Sequence, residues 1–394
     1  MLSKIKVAFW GKYNSLLIFW GLFGILITRS LGSMSRFPAD PGYDYVLSGS
    51  QNGIKSWFNL DPYVHFGAHF LSWIASFSPI EHQAIVLAVF VHLVWALTGL
   101  GICLVLKQEG FPQYVQLISA FSLVLCPAAA ESSLANVGNV KWPLLILAIF
   151  IVSSNTILAK PTASGIYLFI TGLTNPLSII AVLPLAHNFM RLDKDQRKRI
   201  RFPVYSLLLT FLIQVLIVGL NGLSQGAGGA KIMSPWPGMG LFWLFGLISP
   251  SALCLISLIA IGVLRVRLVP PLIPRIALTA PALAIASYLY GGIGDRYFVA
   301  PMMISWVTVF ATTDTISKCK SKVLRTSLVI LPVFFLLVPI IKWFDSSWYL
   351  KAGTNWPTEV NRAKSECALG EDTVQLIVGE ENIFVLPCSY ILNN

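Results

Sequence analysis

Long apolar runs alternate with short polar ones along almost the whole chain. The first covers residues 14–31. Others follow at 83–106, 114–130, 141–158, 203–220, 240–264, 273–290, 297–313 and 324–342. Each suits a helix crossing hydrocarbon, where backbone polar groups must be satisfied within the segment. Two stretches carry alternatives. Residues 63–79 form either a full span or a re-entrant segment. Residues 163–190 can cross once, but Asn175-Pro176 interrupts them, and proline lacks the backbone donor a continuous helix needs. They form one helix or two half-helices. About eleven crossings result, which predicts an all-α polytopic membrane protein.

Two polar regions are larger than connectors. The first, Leu31 to His69, begins LGSMSRFPADPGYDYVLSGSQNGIKSWFNLDPYVH. Within it, GIKSWFNLDPYVHFGAHFLSWIASF predicts an interfacial helix anchored by Trp57, Phe58, Tyr63 and Trp73. The second is the tail, residues 343–394, a small unit distinct from the transmembrane domain at 1–342. PTEVNRAKSECALG predicts an amphipathic helix ending at Gly370, and TVQLIVG and NIFVLPCSYIL predict two strands. This makes the tail a small α/β unit. Cys367 and Cys388 lie 21 residues apart in it. A disulfide between them would staple helix to strand in an oxidising compartment. Cys103, Cys126 and Cys254 lie in apolar runs as small core residues, and Cys319 sits in a basic loop.

Composition agrees with the pattern. Of 394 residues, 56% are hydrophobic and 11% charged, and the net charge is +11. In such a chain, excess Lys and Arg marks cytoplasmic loops rather than nucleic-acid binding. Lys4, Lys6 and Lys12 place the N-terminus in the cytoplasm. No small-residue cleavage site precedes the next span, which predicts a retained first helix. RLDKDQRKRIR at 191–201 carries +4 and is the strongest cytoplasmic signal. The loops at 265–275 and 317–325 are also basic. The first loop, the loops at 221–238 and 291–296, and the tail, with net charge −4, then lie outside. The two alternatives for residues 60–175 disagree on the side of Ala135–Lys141.

Polar groups at membrane depth are costly and are functional candidates. Asp40 and Asp44, in PADPGYDY, are each a candidate general base and equally a turn or helix-cap residue. Asp61, His65 and His69 form a second set. The two histidines share a helix face and suit hydrogen bonds to phosphate or sugar better than a metal site, since no third ligand stands out beyond Asp61. In ANVGNVKW, Asn136 and Asn139 could bind sugar hydroxyls, Trp142 could stack on a pyranose and Lys141 could meet a phosphate. The plain alternative is a capped loop with an interface Trp. Asn175 marks the broken helix or a simple kink. Asp295, Arg296 and Tyr297 form the last set, with Arg296 suited to a lipid phosphate or to local pairing with Asp295.

The layout, a cytoplasmic N-terminus, one span, a long acidic outer loop and many further spans, resembles the GT-C class of integral-membrane glycosyltransferases. The motifs ANVGNVKW, GLTNP and DRYF and the Cys-containing tail resemble bacterial and phage glucosyltransferases that modify O-antigen. The resemblance implies a polyprenyl-phosphate sugar donor, a surface-glycan acceptor, a first-loop Asp as base (Asp44 or Asp40) and an outer Arg on the phosphate (Arg296). The Asp-Glu pair of several GT-C families is absent here, so the base stays open between the two. The implied enzyme transfers a hexose such as glucose with inversion at the outer face of the bacterial inner membrane. It needs no metal, because the leaving group is already a phosphate. A lipid-sugar flippase is the competing reading, supported by the break at Asn175-Pro176. A scaffolding protein would leave the clustered outer polar residues unexplained.

Overall fold

The computed structural model describes residues 2–32, 34–37, 42–58, 63–125, 136–225, 270–291, 299–317, 354–378 and 383–393. The expected spans at 240–264 and 324–342, Cys126, Cys254 and Cys319, and five candidate site residues (Asp40, Asp61, Asp295, Arg296 and Tyr297) lie outside them.

The described chain is mostly helical, with one small sheet. Helix α1 (Leu2–Ser30) begins well before the apolar run that predicts it. It is followed by α2 (Gly42–Asn52), a 3-10 turn (Gly53–Phe58), α3 (Phe66–Ala75), α4 (Gln83–Gln108) and α5 (Gln113–Leu125). A 3-10 turn at Val137–Asn139 leads into α6 (Lys141–Ser153). Next come α7 (Pro161–Thr174), a 3-10 segment (Pro176–Ala181), α8 (Val182–Arg191), α9 (Lys194–Arg199) and α10 (Arg201–Gln225). After α11 (Leu272–Gly291) and α12 (Val299–Ser317), the tail supplies α13 (Trp356–Ala368), β1 (Thr373–Ile377), β2 (Ile383–Pro387) and α14 (Cys388–Asn393).

Among the described residues, two helices are long and apolar enough to cross a membrane, the continuous Ile80–Gln108 segment and Arg201–Gly219. Helix α10 shows which solvent it faces. Phe202, Tyr205, Leu208, Leu209, Leu212 and Leu216 are exposed on it, while Ser206, Thr210 and Gln214 are buried. The polar residues recur every four positions and face inward. The apolar residues face outward. That is the reverse of a water-soluble helix and is what lipid selects: the Thr210 hydroxyl bonds to carbonyls of its own helix, and Gln214 bonds to neighbouring segments.

Close helix crossings rest on glycine. A Cβ on Gly172 would lie 2.0 Å from the Thr210 hydroxyl, and one on Gly165 would lie 2.3 Å from the Phe202 ring. Both let α7 lie against α10. Gly49 of α2 similarly meets the Trp73 backbone, where a Cβ would come within 2.9 Å.

The 163–190 stretch is broken. Tyr167 of α7 donates to the Leu144 carbonyl at 3.1 Å, Asn175 to the Lys141 carbonyl at 3.3 Å and Asn188 of α8 to the Val152 carbonyl at 3.1 Å. These partners run from the start to the end of α6. Helix α7 therefore climbs to the level of Lys141, and α8 descends again to the level of Val152. The hairpin has its apex at Asn175-Pro176. Helix α3 stays near that apex, since the Gly67 N–H donates to the Thr174 hydroxyl at 3.0 Å. Its ten residues rise only about 15 Å, too little to cross. Residues 63–79 thus do not form one span-length helix, and Asn136–Lys141 lies at the same end of the molecule as the first loop. The opposite end carries Glu109, Ser153, Asn155, the basic 191–201 segment and Arg275.

Three sequence expectations are corrected. The first loop does not hold one interfacial helix from Gly53 onward. Helix α2 precedes that point, only a 3-10 turn covers Gly53–Phe58, and α3 starts at Phe66. The run after β2 is not all strand, because the chain turns into α14 at Cys388, pinned there by the disulfide. Residues 191–201 are not plain loop. Asp193 caps α9 in a capping box with Gln196.

The tail docks on the first loop. Trp356 is buried among Phe37 and Tyr43, with ring centroids 4.8 and 4.7 Å away, and its indole N–H donates to the Ile80 carbonyl at 2.6 Å. Lys364 pairs with Glu81 at 2.6 Å, and Tyr390 bonds Ser50 at 3.1 Å. Strands β1 and β2 are antiparallel, with Thr373 opposite Pro387 and Ile377 opposite Ile383. Cys367 and Cys388 are disulfide-bonded, with Cα atoms 5.2 Å apart. Cys103 is free and buried, as its apolar surroundings predict.

Candidate functional site

Asp44 stands in the first turn of α2, where a carboxylate complements the partial positive charge of the helix N-terminus. Its side chain reaches the surface, yet enough protein surrounds it that burial raises its carboxyl above the ordinary aspartate value. The neighbouring Tyr45 phenol is raised to about 12, first by burial and then by the Asp44 charge.

Tyr45 links Asp44 to a buried polar cluster. Its ring meets His69 edge-on at 4.7 Å and His65 at 5.7 Å. Tyr63 lies 5.4 Å from His65, and its hydroxyl accepts from the Lys141 ammonium at 2.9 Å. Lys141 also sits over the rings of Tyr63 and Trp142, at 5.6 and 5.4 Å. His65 and His69 are buried. Burial, then the charge of Lys141, then His69, push the His65 imidazole well below its ordinary value, and burial pushes His69 down to about 4. Both rings are therefore neutral at pH 7 and can each offer one donor and one acceptor. Neither ring nitrogen of His65 meets the geometry of a hydrogen bond, although the Gly138 backbone is near enough to favour its protonated form.

Residues Asn136–Trp142 build the floor of this cluster. The Asn136 side chain accepts from Gly138 N–H at 2.9 Å, and Asn139 accepts from the Trp142 indole at 3.2 Å. Trp142 is fully buried and presents no face to a pyranose. Asn175 accepts from Leu177 N–H at 2.9 Å and reaches Lys141 through its amide. These side chains hold the backbone that carries Lys141. Tyr45, Tyr63, His65, His69, Lys141 and the asparagines therefore come together, with Asp44 at the rim.

Gln214 was missed by the sequence reading. Its carbonyl oxygen accepts from Val64 N–H at 3.2 Å. Its amide nitrogen faces the carbonyls of Val64, Gly172 and Leu173 at 3.0, 3.0 and 3.1 Å. In an unbroken helix the Gly172 carbonyl would accept from residue 176, but that residue is proline. The Leu173 carbonyl would accept from Leu177, whose N–H is committed to Asn175. Gln214 thus satisfies the carbonyls freed by the break and fixes the loop beside His65. A lone amide in an otherwise apolar run was the available signal.

No three or more His, Cys, Asp and Glu side chains converge as a metal site among the described residues.

No family model matches the chain, and no curated protein matches it. Among solved structures, it is similar to an oligosaccharyltransferase from Archaeoglobus fulgidus in its apo form. The identity is 15%, the TM-score 0.49, and the match covers 90% of this chain and 58% of that one. The chain thus spans less than two thirds of that structure's length. At this identity and score, the likeness assigns no chemistry to any residue here.

Proposed function

We propose that this protein is a GT-C-type integral-membrane glycosyltransferase. It moves a hexose such as glucose from a polyprenyl-phosphate carrier to a cell-surface polysaccharide, with Asp44 or Asp40 as base. The observation that carries this reading is the position of Asp44: a surface carboxyl with raised proton affinity, on a helix clamped by the tail, at the rim of a buried His-Tyr-Lys cluster. A raised pKa brings a carboxylate closer to what a general base needs.

In this mechanism the carboxylate takes the proton of an acceptor hydroxyl. The hydroxyl oxygen attacks the anomeric carbon opposite the phosphate. The bond from that carbon to the phosphate oxygen breaks, and the carrier phosphate leaves as an anion, giving inversion. Lys141 and Arg296 neutralise that anion. His65 and His69, with Asp61, Asp295 and Tyr297, contact sugar or acceptor. Asn136, Asn139, Trp142 and Asn175 act by positioning. A phosphate leaving group departs without help from a metal.

The proposed setting is the bacterial inner membrane, crossed many times, with the N-terminus cytoplasmic and the tail outside. The tail disulfide suits an oxidising compartment, and the basic 191–201 segment at the opposite end suits the cytoplasm. The flippase reading loses its main support, because the carbonyls freed at the helix break already have protein partners.

The test is transfer of label from polyprenyl-phosphate glucose to host surface polysaccharide by purified protein. Wild type should transfer it. Asp44→Asn with Asp40→Asn should not. Full transfer by the double variant would overturn the proposal.

A further inference from the structure

The end of the molecule opposite Asp44 holds a buried cation that glycosyl transfer does not use. Arg275, in the first turn of α11, is only 7% exposed. Its Nη1 donates to the carbonyl of Ser153, the last residue of α6, at 2.7 Å. Its Nε reaches no acceptor. Arg191 and His187, one turn apart on α8, lie within electrostatic reach of it.

Counter-charge is short here. Glu109 is the carboxylate that acts on Arg275. Its oxygens are engaged by Asn155, through the backbone N–H at 2.7 Å and the side-chain amide at 3.4 Å. Neither Arg275 nor Arg191 forms an ion pair among the described residues. The nearby Arg197 is spent on the α8 carbonyls of Phe189 and Met190, at 3.1 Å each. A buried guanidinium with a dry N–H and no paired anion is strongly unfavourable unless a ligand completes it.

The surroundings indicate what that ligand is. Arg191 is exposed, so the group opens to the surface while Arg275 lies at its base. Leu183, His187 and Arg191 recur every four residues and share one face of α8. Leu183 and the neighbouring Met190 are exposed, at 53% and 68%. Cations at the helix end beside exposed apolar side chains suit a charged headgroup with its acyl chain along the helix.

We propose that Arg275, Arg191 and His187 form a binding site for a phosphate group, on the face opposite the glycosyl-transfer site. Two N–H groups of a guanidinium match two phosphate oxygens, and further cations take the remainder. The phosphate belongs to a lipid headgroup of the adjacent leaflet or to a soluble phosphate.

The full chain would be placed in nanodiscs of phosphatidylcholine with and without phosphatidylglycerol. Native mass spectrometry then counts retained lipid for wild type, Arg275→Gln and Arg191→Gln. Wild type should retain phosphatidylglycerol, and each variant should lose it by about tenfold, the effect of one charge-assisted contact. Arg191 is exposed, so its variant tests the site even where Arg275→Gln fails to fold. In phosphatidylcholine discs, thermal unfolding with inorganic phosphate against chloride distinguishes the source. A phosphate-dependent rise in Tm, lost in the variants, identifies a soluble phosphate. Retained phosphatidylglycerol with no such rise identifies a headgroup. Equal lipid retention by all three proteins together with no phosphate effect overturns the proposal.

Discussion

Gln214→Leu removes the amide that bridges α10, the end of α7 and the loop before α3 while nearly conserving volume. The side-chain oxygen accepts one bond and the amide nitrogen has two protons, so at most three hydrogen bonds are lost, shared among Val64 N–H and the carbonyls of Val64, Gly172 and Leu173. At about 0.6 kcal/mol for each hydrogen bond in a lipid-embedded core, the loss is about 1.8 kcal/mol. At about 1 kcal/mol for each bond left unmade in a buried site, it is about 3 kcal/mol. The expected destabilisation is therefore about 2–3 kcal/mol. Denaturant titration of purified protein in micelles measures it, with Leu212→Ala on the lipid-facing side of the same helix as control. Amide hydrogen exchange at Val64 should also accelerate, while α4 is unaffected. A loss below about 0.5 kcal/mol with Val64 still protected would refute the reasoning. The bonds would then have found other partners, and the helix break would not depend on Gln214.

Gly172→Val places side-chain carbon against Thr210, where even a Cβ would lie 2.0 Å from the hydroxyl, so α7 and α10 must separate. The expected cost is about 1–3 kcal/mol, read as a lowered Tm in micelles. Cys367→Ser with Cys388→Ser opens a covalent loop of 21-residue separation. The tail should lose about 3 kcal/mol of stability and become protease-sensitive, while the micellar core keeps its Tm. Burial opposes ionisation of Glu359, but hydrogen bonds from Arg362 and the Ile377 N–H outweigh it and hold its carboxyl below its ordinary 4.5. A depressed acid contributes stability above its unfolded value and loses it as pH falls through the folded one. Tail docking, followed by Trp356 fluorescence in a variant retaining that tryptophan alone, should therefore be constant above pH 4.5 and weaken below it. With Asp44 as the proposed base, transfer needs its carboxylate charged, so the acid limb of activity should have a midpoint above the ordinary aspartate value of 3.8 and Asp44→Asn alone should abolish transfer; with Asp40 as the base, Asp44→Asn alone should retain it.

Much of the fold was legible in the chain. Apolar runs mark helices because hydrocarbon leaves the backbone no partner but itself, so α4, α6, α10, α11 and α12 lie close to their sequence positions. Pro176 made the break at Asn175 readable because a missing donor is a local fact. The tail cysteines were readable as a pair because few alternatives existed in a polar segment. The expected spans at 240–264 and 324–342 lie outside the described residues.

The site was legible only in part. Asp44, His65, His69 and Lys141 stood out because polar groups are expensive in an apolar chain. Which of them meet was not readable, since Lys141 reaches Tyr63 across 78 positions of sequence. The asparagines and Trp142 carry the residue types of a sugar site, yet the structure uses them as caps and packing. A side chain's type limits the bonds it can make, but only the neighbouring elements decide which it makes.

By itself, then, the sequence determined the helical, strongly apolar character of the chain, the broken helix and the polar candidates, because each follows from local hydrophobicity or from one missing N–H. Tertiary structure alone decided that only a short helix forms within residues 63–79, that Asn136–Lys141 shares an end with the first loop and that Gln214 closes the break. It also brought the tail onto α2 and left Arg275 buried with no ion pair among the described residues. Those outcomes depend on groups far apart in the chain meeting in one place, where each donor, acceptor or charge must find its complement.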